Sequence, residues 1–286
     1  MAISVSLPTI WSARIEEYLD KSLVFVPAFT NNAYEGEARE GSTVKILSVG
    51  ELTIGDYDGS DIDAAEDLTD AAATLTLSQK KYFNFRVLDT DDQFSVISLI
   101  DQGSQRAAYG IADTLDQYIA SLHSSVSSSA PDNAYGDSTT PIDIGTDTGE
   151  VLAYDAHLEL AERLDLANAP KVGRRAVYPS WFVRRLKKEL GGRASGLGDS
   201  ITQNGLMGEI DGVQIYQSNN VVNTTDTKYK CMMGLPYITL ARAIAKVETY
   251  RQEANFGTGV KGLYVYGAVM TKPAAFALGT FSKGLL

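Results

Sequence analysis

The sequence predicts an α+β chain, and three stretches carry that prediction. From Ala73 to Leu88 the residues alternate with period two: Ala73, Leu75 and Leu77 against Thr74, Thr76 and Ser78, then Phe83, Phe85 and Val87 against Tyr82, Asn84 and Arg86. From Asp91 to Ser125, Ile97, Ile100, Ala108, Ile111, Leu115, Tyr118 and Leu122 recur mostly every three or four residues, which is one helical stripe with no proline in it. Alternation returns in YRQEANFGTGVKGLYVYGAVMTKPAAFALGTF, read as strands packed beneath the long helix. A chain of 286 residues, 44% hydrophobic and 21% charged, can bury a sizeable core around such elements.

In chain order, Thr9 is placed to cap a short amphipathic helix over IWSARIEEYLDKSL, where Trp11, Ile15 and Leu19 fall at i, i+4 and i+8. The next stretch, VFVPAFTNNAYEGEAREG, has no helical period and reads as an extended arm. Thr43 to Ile54 and Ala73 to Leu88 then form a two-stranded ribbon, its second strand roughly 50 Å long if unbroken at about 3.3 Å per residue. An isolated ribbon is marginal in water, and no third strand follows closely in sequence. A neighbouring subunit is therefore the natural cover for its apolar face. The ribbon tip, GELTIGDYDGSDIDAAEDLTD, is acidic. The spacing of Asp56, Asp58, Asp61 and Asp63 invites calcium but lacks the full loop pattern with a glutamate in twelfth place, so a solvated loop is the simpler reading.

The long helix would run roughly 50 Å across a body whose radius of gyration is about 19 Å. Gly103 and Gly110 each weaken it by about 1 kcal/mol relative to alanine, which packing along the stripe must offset. SSVSSSAPDNAYGDSTTPIDIGTDTG is a polar connection and the best candidate for a domain boundary. Asp147 or Thr148 is expected to cap a helix striped by Leu152, Ala156, Leu160 and Leu164 and ended by Asn168 and Pro170. RRAVYPS reads as a buried strand, Ser180 caps WFVRRLKKEL, and Gly191 and Gly192 stop that helix. A glycine-rich loop, GGRASGLGDSITQNGLMGEIDG, leads to strands at GVQIYQS and KYKCMM. LPYITLARAIAKV reads as a helix, with Pro236 in its first turn and Tyr237, Ala241, Ile244 and Val247 on one stripe.

Chemistry is sparse. The net charge of -11 argues against coating nucleic acid through the whole surface. The single cysteine, Cys231, excludes an internal disulfide and a cysteine-built metal site and fits a reducing cytoplasm. No signal peptide or membrane-spanning run is visible. The two histidines, His123 and His157, lie on helices with no nucleophile elbow around them, so solvated or packing roles are expected. No dinucleotide or phosphate-loop pattern occurs. No catalytic residue, cofactor or metal site is assigned, and the chain does not read as an enzyme. Arg174, Arg175, Arg184, Arg185, Lys187, Lys188 and Arg193 form the one basic concentration, open between a solvated helix face and contact with DNA or a partner.

The order of elements resembles the HK97-fold major capsid proteins of tailed bacteriophages. The stretches that carry the likeness are NAYEGEAREGSTVKI, GRRAVYPSWF, GLMGEIDGVQIYQSNNV and YRQEANFGTGVKGLYVYGAVMTKPAAFALG, collinear over nearly the whole chain. The resemblance implies an HK97-like capsid fold: an N-terminal arm over 1–33, a long β-hairpin E-loop over 34–88, a P-domain with its spine helix over 89–128, a mixed α/β A-domain over 129–249, and returning P-domain strands over 250–286. It implies a virion subunit, assembled in the host cytoplasm, that forms hexamers and pentamers of an icosahedral shell around double-stranded DNA. Its E-loop would lie over the adjacent subunit. A portal protein and a decoration protein are implied partners; since no long scaffolding segment precedes the arm, the resemblance also implies either a separate scaffolding protein or loss of that segment before the sequence begins. Subunit-contact candidates are Trp11, Tyr34, Glu35, Gly36, Leu75, Leu77, Lys80, Lys81, Arg184, Arg185, Arg251, Glu253 and Phe256. Lys80 or Lys81 would be the lysine of a covalent cross-link, with no partner asparagine identified. The same fold serves encapsulins, shells that package an enzyme. A hydrolase and a tail or decoration protein are more distant alternatives.

Overall fold

The computed structural model describes residues 23–32, 43–49, 54, 70–89, 99–191, 208–224, 227–252 and 256–284. The helix expected near Trp11, the arm beyond residue 32, nearly all of the acidic ribbon tip, the first turns of the long helix and most of the glycine-rich loop lie outside the described residues.

Phe25–Phe29 (α1) is a short helix and Thr30–Asn31 (β1) a two-residue strand, where the sequence predicts an extended arm. Phe25 and Phe29, four apart, are both fully buried, and Phe29 meets Phe276 edge-on at 5.7 Å. That anchoring closes a turn too short to show a period. Thr43–Val49 (β2) and Asp70–Thr76 (β3) pair antiparallel, from Thr43 opposite Thr76 to Val49 opposite Asp70, as the ribbon reading predicts. The alternating run is not one strand, however. It bends at Leu77 and Ser78, and Gln79–Leu88 (β4) leaves the ribbon for a different sheet.

Leu99–Ser121 (α2) is the long helix, about 35 Å at 1.5 Å per residue, and after Leu122 the shorter His123–Ser129 (α3) follows. Its glycines differ in role. A Cβ at Gly103 would lie 2.6 Å from the Phe85 ring, so glycine lets α2 approach β4, whereas Gly110 has nothing within 4 Å.

After Ala134–Tyr135 (β5) and Ile142–Ile144 (β6) comes Ala153–Leu166 (α4), which buries Ala156, Leu160 and Leu164 as its stripe predicts. Its cap is not Asp147 or Thr148. The backbone N–H groups of Ala153 and Tyr154 donate to Glu189 Oε1 and Oε2 at 2.9 and 2.8 Å, so a carboxylate from another helix satisfies the free amides and complements the helix dipole. Asn168, at φ 54°, takes the left-handed position that ends the helix.

Arg174–Tyr178 (β7), Ser180–Gly191 (α5), Glu209–Ile210 (β8), Val213–Gln217 (β9), Val222–Thr224 (β10) and Lys228–Gly234 (β11) follow. Ile238–Arg251 (β12) is a strand where the sequence predicts a helix over Tyr237 to Val247. Ile238, Thr239, Leu240 and Ala241 are all buried where β12 crosses the body, which erases period two, and pairing along Gly257–Met270 (β13) overrides the helical spacing. Phe276–Lys283 (β14) closes the described chain.

Among the described residues two sheets form besides the ribbon. The larger has eight strands, in the order β5-β14-β11-β7-β9-β8, with β10 beside β11 and β6 beside β14. Its centre is dense with aromatics: Tyr178, Phe182 and Phe281 stack in a row at 4.3 and 5.2 Å, while Phe276 faces α1. The second sheet has the order β1-β12-β13-β4. One of its faces lies under α2, where Tyr118 meets Tyr266 at 5.3 Å. The expectation of terminal strands beneath the long helix therefore holds for β13, whereas β14 is built into the larger sheet.

Candidate assembly surface

The long sheet has two unlike faces because side chains alternate along each strand. Phe83 and Phe85 of β4, with Val260, Tyr264 and Tyr266 of β13, share the face beneath α2. The opposite face carries Lys80, Tyr82, Asn84 and Arg86 of β4 and Lys261, Leu263 and Val265 of β13. At one end the ribbon root lies on that face. Leu75 and Leu77 join Ala241 and Val265 in a small core flanked by Val44, Ile46, Leu263 and Val269. A Cβ at Gly267 would lie 2.1 Å from the Thr76 carbonyl oxygen, so the root sits directly on β13 backbone.

This corrects two contact assignments. Leu75 and Leu77 are 1% and 3% exposed within the single chain, because the bend at Ser78 folds the ribbon back over its own sheet. No neighbouring subunit is needed to cover that part of the ribbon.

Beyond the root the face is open. Tyr82 is 81% exposed, and Lys80, Asn84 and Arg86 are exposed with it. Tyr250 lies across Gly259, where a Cβ would meet its ring at 2.5 Å, and donates its hydroxyl to Asn84 Oδ1 at 3.0 Å. Lys261 pairs with Glu248 at 3.2 Å and sits over the Tyr250 ring at 5.4 Å. The three strands are thus knit on their exposed side by polar bridges instead of apolar packing. At the far end Arg251 binds Asp89 through both guanidinium amino groups and reaches Thr258 Oγ1 at 3.3 Å, while the Asp89 N–H donates to the Phe256 carbonyl at 3.1 Å. Phe256, 85% exposed, projects from this braced hairpin end.

The other sequence candidates separate clearly. Lys81 is exposed on β4 but shares the α2-facing side of the sheet with Phe83. Arg184 is exposed, whereas Arg185 is buried, stacks over Trp181 at 5.5 Å and donates to the Gly284 carbonyl at 2.6 Å. Arg174 pairs with Asp165 at 2.7 Å and donates to the Pro170 and Ala169 carbonyls, and Arg175 donates to the Pro27 and Ala28 carbonyls at the end of α1. Arg174, Arg175 and Arg185 of the basic concentration are therefore structural bolts, and Arg185 is no surface contact. Trp11, Tyr34, Glu35, Gly36 and Glu253 lie outside the described residues.

His157 is fully buried between Tyr178 Oη at 2.9 Å and the Ile210 carbonyl at 3.4 Å, and burial holds its imidazole down at about 4. It is a neutral core group, as its place on a packed helix predicts. Burial also lowers His123, whose Nδ1 lies 3.1 Å from the Ala120 carbonyl. Among the described residues no group of three or more His, Cys, Asp or Glu side chains is arranged to hold a metal, and no helix is long and apolar enough to cross a membrane.

Sequence reasoning passed over Asp116. This buried carboxylate accepts the Val26 N–H at 3.0 Å and the Asn220 amide at 2.9 Å, fastening α1 and the segment before β10 to the long helix. A charged residue beside the apolar Leu115 was its only signal. Tyr82 was legible as one of the polar-side residues of an alternating strand, but its partner strand was not.

A family model described as phage capsid protein matches residues 72–278, from within β3 to within β14. No curated protein matches the chain. Among solved structures, a chain from Mycobacterium phage Che8 is 26% identical with a TM-score of 0.76, and the match covers 98% of each chain. A chain from the capsid of Cyanophage P-SCSP1u is 16% identical with a TM-score of 0.69, over 98% of this chain and 94% of that one. A chain of the Cyanophage Pam1 capsid asymmetric unit is 15% identical with a TM-score of 0.68, over 99% and 98%. The last two share the fold at low identity. The long sheet, the helix on one of its faces and the ribbon root on the other are thus the parts of an HK97-like capsid subunit, and the chain belongs to the phage capsid protein family.

Proposed function

We propose that this phage capsid protein works as the major shell subunit of a tailed bacteriophage, forming hexamers and pentamers that close into an icosahedral shell around double-stranded DNA. The observation that carries the reading is the division of the chain. The eight-stranded body buries most of its own strand residues, while the long sheet leaves Tyr82 and Phe256 uncovered at sites braced by hydrogen bonds. Braced, exposed aromatics are the kind of residue that dominates protein contacts. Self-association is the work of the family, and an encapsulin is not favoured, since the family model and the similar structures are of phage capsids.

In this reading β2 and β3 root the E-loop, α2 with β4, β12 and β13 forms the P-domain, and the eight-stranded sheet forms the A-domain near the capsomer axes. Lys80, Tyr82, Arg184, Arg251 and Phe256 are the contact residues, and Tyr82 is added to the sequence candidates on its exposure. Scaffolding, portal and decoration proteins and host-cytoplasmic assembly belong to the same proposal. Negative-stain electron microscopy of the protein, expressed alone and with the neighbouring genes of its genome, tests it. Polyhedral shells, or rings of five and six, are expected, with nucleic acid in closed particles. A monodisperse subunit of 30.9 kDa under every condition overturns it.

A further inference from the structure

A concavity lies apart from the assembly surface. It measures about 510 Å³ and sits where α1 and β1 meet the start of β12, with Pro27 and Pro236 as walls. Its polar groups include Arg175 of β7, Arg242 of β12 and the exposed amides of Asn31 and Asn32. Two guanidinium charges and no carboxylate are among its described lining residues, in a chain of net charge -11.

The Arg175 charge is fixed in place. Its Nη1 donates to the Pro27 and Ala28 carbonyls, both at 2.9 Å, so the last turn of α1 holds the guanidinium still. Its Nε–H is buried and has no acceptor among the described residues. A guanidinium anchored at one nitrogen and underbonded at another favours an added oxyanion, because a buried donor is costly to leave unpaired. Arg242 stands opposite Tyr266, which lies on the α2 side of the long sheet, so Arg242 and the concavity belong to that side. The ribbon root sits on the other side, and the two surfaces do not compete.

A lone carboxylate would occupy little of that volume, whereas a phosphate with its flanking sugar fills more of it. Arginines beside side-chain amides are also the donors that hold phosphate oxygens. We propose that this concavity binds a phosphodiester group of the nucleic acid that the shell encloses, with Arg175 and Arg242 on the phosphate oxygens and Asn32 donating beside them. The source of the ligand rests on the shell reading above, and the donor set does not.

Binding is measured on unassembled subunits, by fluorescence anisotropy with a labelled DNA duplex of about 20 base pairs between about 0.05 and 0.2 M NaCl. Asn32→Asp keeps the shape of the side chain and puts a negative charge in the concavity, and Arg242→Gln removes a positive one. Each is expected to weaken binding about tenfold, and Arg242→Gln to lower the salt slope by about 1, the signature of one lost phosphate contact. Arg184→Gln, exposed on α5, should bind as wild type does. Wild-type subunits that do not bind the duplex, concavity variants that bind as wild type does, or an equal loss from Arg184→Gln overturn the site. Circular dichroism checks folding, and Asn32→Asp alone decides if Arg242→Gln does not fold. Inorganic phosphate or polyglutamate bound as tightly as the duplex assigns the concavity to a free anion or to an acidic protein and overturns the nucleic-acid contact. Subunits that close into shells yet do not bind DNA defeat this contact alone, whereas DNA binding without shells under any condition defeats only the shell reading.

Discussion

β14 and β4 are strands of similar length in one chain, yet they end in opposite surroundings. Of the eight residues in β14, all but Lys283 are buried, with α1 on one side and the Phe182 ring on the other. In β4 every second residue from Lys80 to Leu88 is exposed, Lys81 is exposed with them, and Gln79, Phe83, Phe85 and Val87 are only half-buried. The difference teaches where a shell subunit keeps its stability and where it keeps its adhesion. A core closed on all sides holds the monomer together before any neighbour arrives, whereas an open sheet face leaves surface for a neighbour to bury.

Truncating the closed side should cost the most. Phe281→Ala removes a ring stacked on Phe182 and edge-on to Tyr135, and a loss of about 3–5 kcal/mol is expected from the cavity it leaves. Urea unfolding of unassembled subunits measures it. A loss below about 1 kcal/mol would mean that the body is not the rigid half of the molecule.

Acid should act on the same half. The buried His157 takes a proton only near pH 4, because desolvation outweighs the Ile210 carbonyl and Asp211 that favour charging, while in the unfolded chain it takes one near 6.5. The stability tied to its neutral form is therefore complete above pH 6.5 and is lost as the pH falls to about 4, which amounts to about 3 kcal/mol. His157→Gln should flatten the stability profile across that window by about this amount. Equal slopes in wild type and variant would remove His157 from the account.

Where the two halves meet, Asp116→Ala leaves the Val26 N–H without its acceptor and the Asn220 amide with Asp113 alone, at a cost of about 1–3 kcal/mol. Hydrogen exchange should locate the loosening at α1 instead of spreading it through the core. Gly267→Ala puts a methyl group against the Thr76 carbonyl, and a similar cost of about 1–3 kcal/mol is expected from overpacking. Its signature should differ: cleavage by protease at the bend near Ser78, with the body intact. On the open side Phe256→Ser should change monomer stability by less than about 0.5 kcal/mol and still lower the assembled fraction. A variant that assembles like wild type would take Phe256 out of the contact set.

The elements read correctly from sequence are those whose own residues carry the signal. α4 announces itself through Ala156, Leu160 and Leu164 on one buried stripe, and β7 through the run Ala176, Val177 and Tyr178, all fully buried. β12 reads as a helix in sequence because Ala241, Ile244 and Val247 happen to fall at helical spacing, while the partner that makes it a strand, β13, is bonded through distant pairs such as Thr249 with Val260 and Ile238 with Met270. The assembly surface was half legible. Lys80 and Phe256 come from the resemblance to capsid proteins, and the alternation puts Tyr82 on the polar side of its strand, but only the bend at Ser78 decides that Leu75 is covered by its own sheet while Tyr82 stays open.

Local pattern was enough for the ribbon pair, the long helix, α4 and β7, for the acidic stretch at 50–69 and for the likeness to capsid proteins, because periodicity, charge and motif order are local properties of the chain. The tertiary structure alone decided that the ribbon folds back onto its own sheet, that Glu189 caps α4 from another helix, that three arginines of the basic concentration are spent inside the chain, and which face of β4 is left bare. Each of these depends on groups far apart in sequence brought within hydrogen-bonding or van der Waals reach, and no local pattern records which distant partner a strand edge, a helix end or a guanidinium will find.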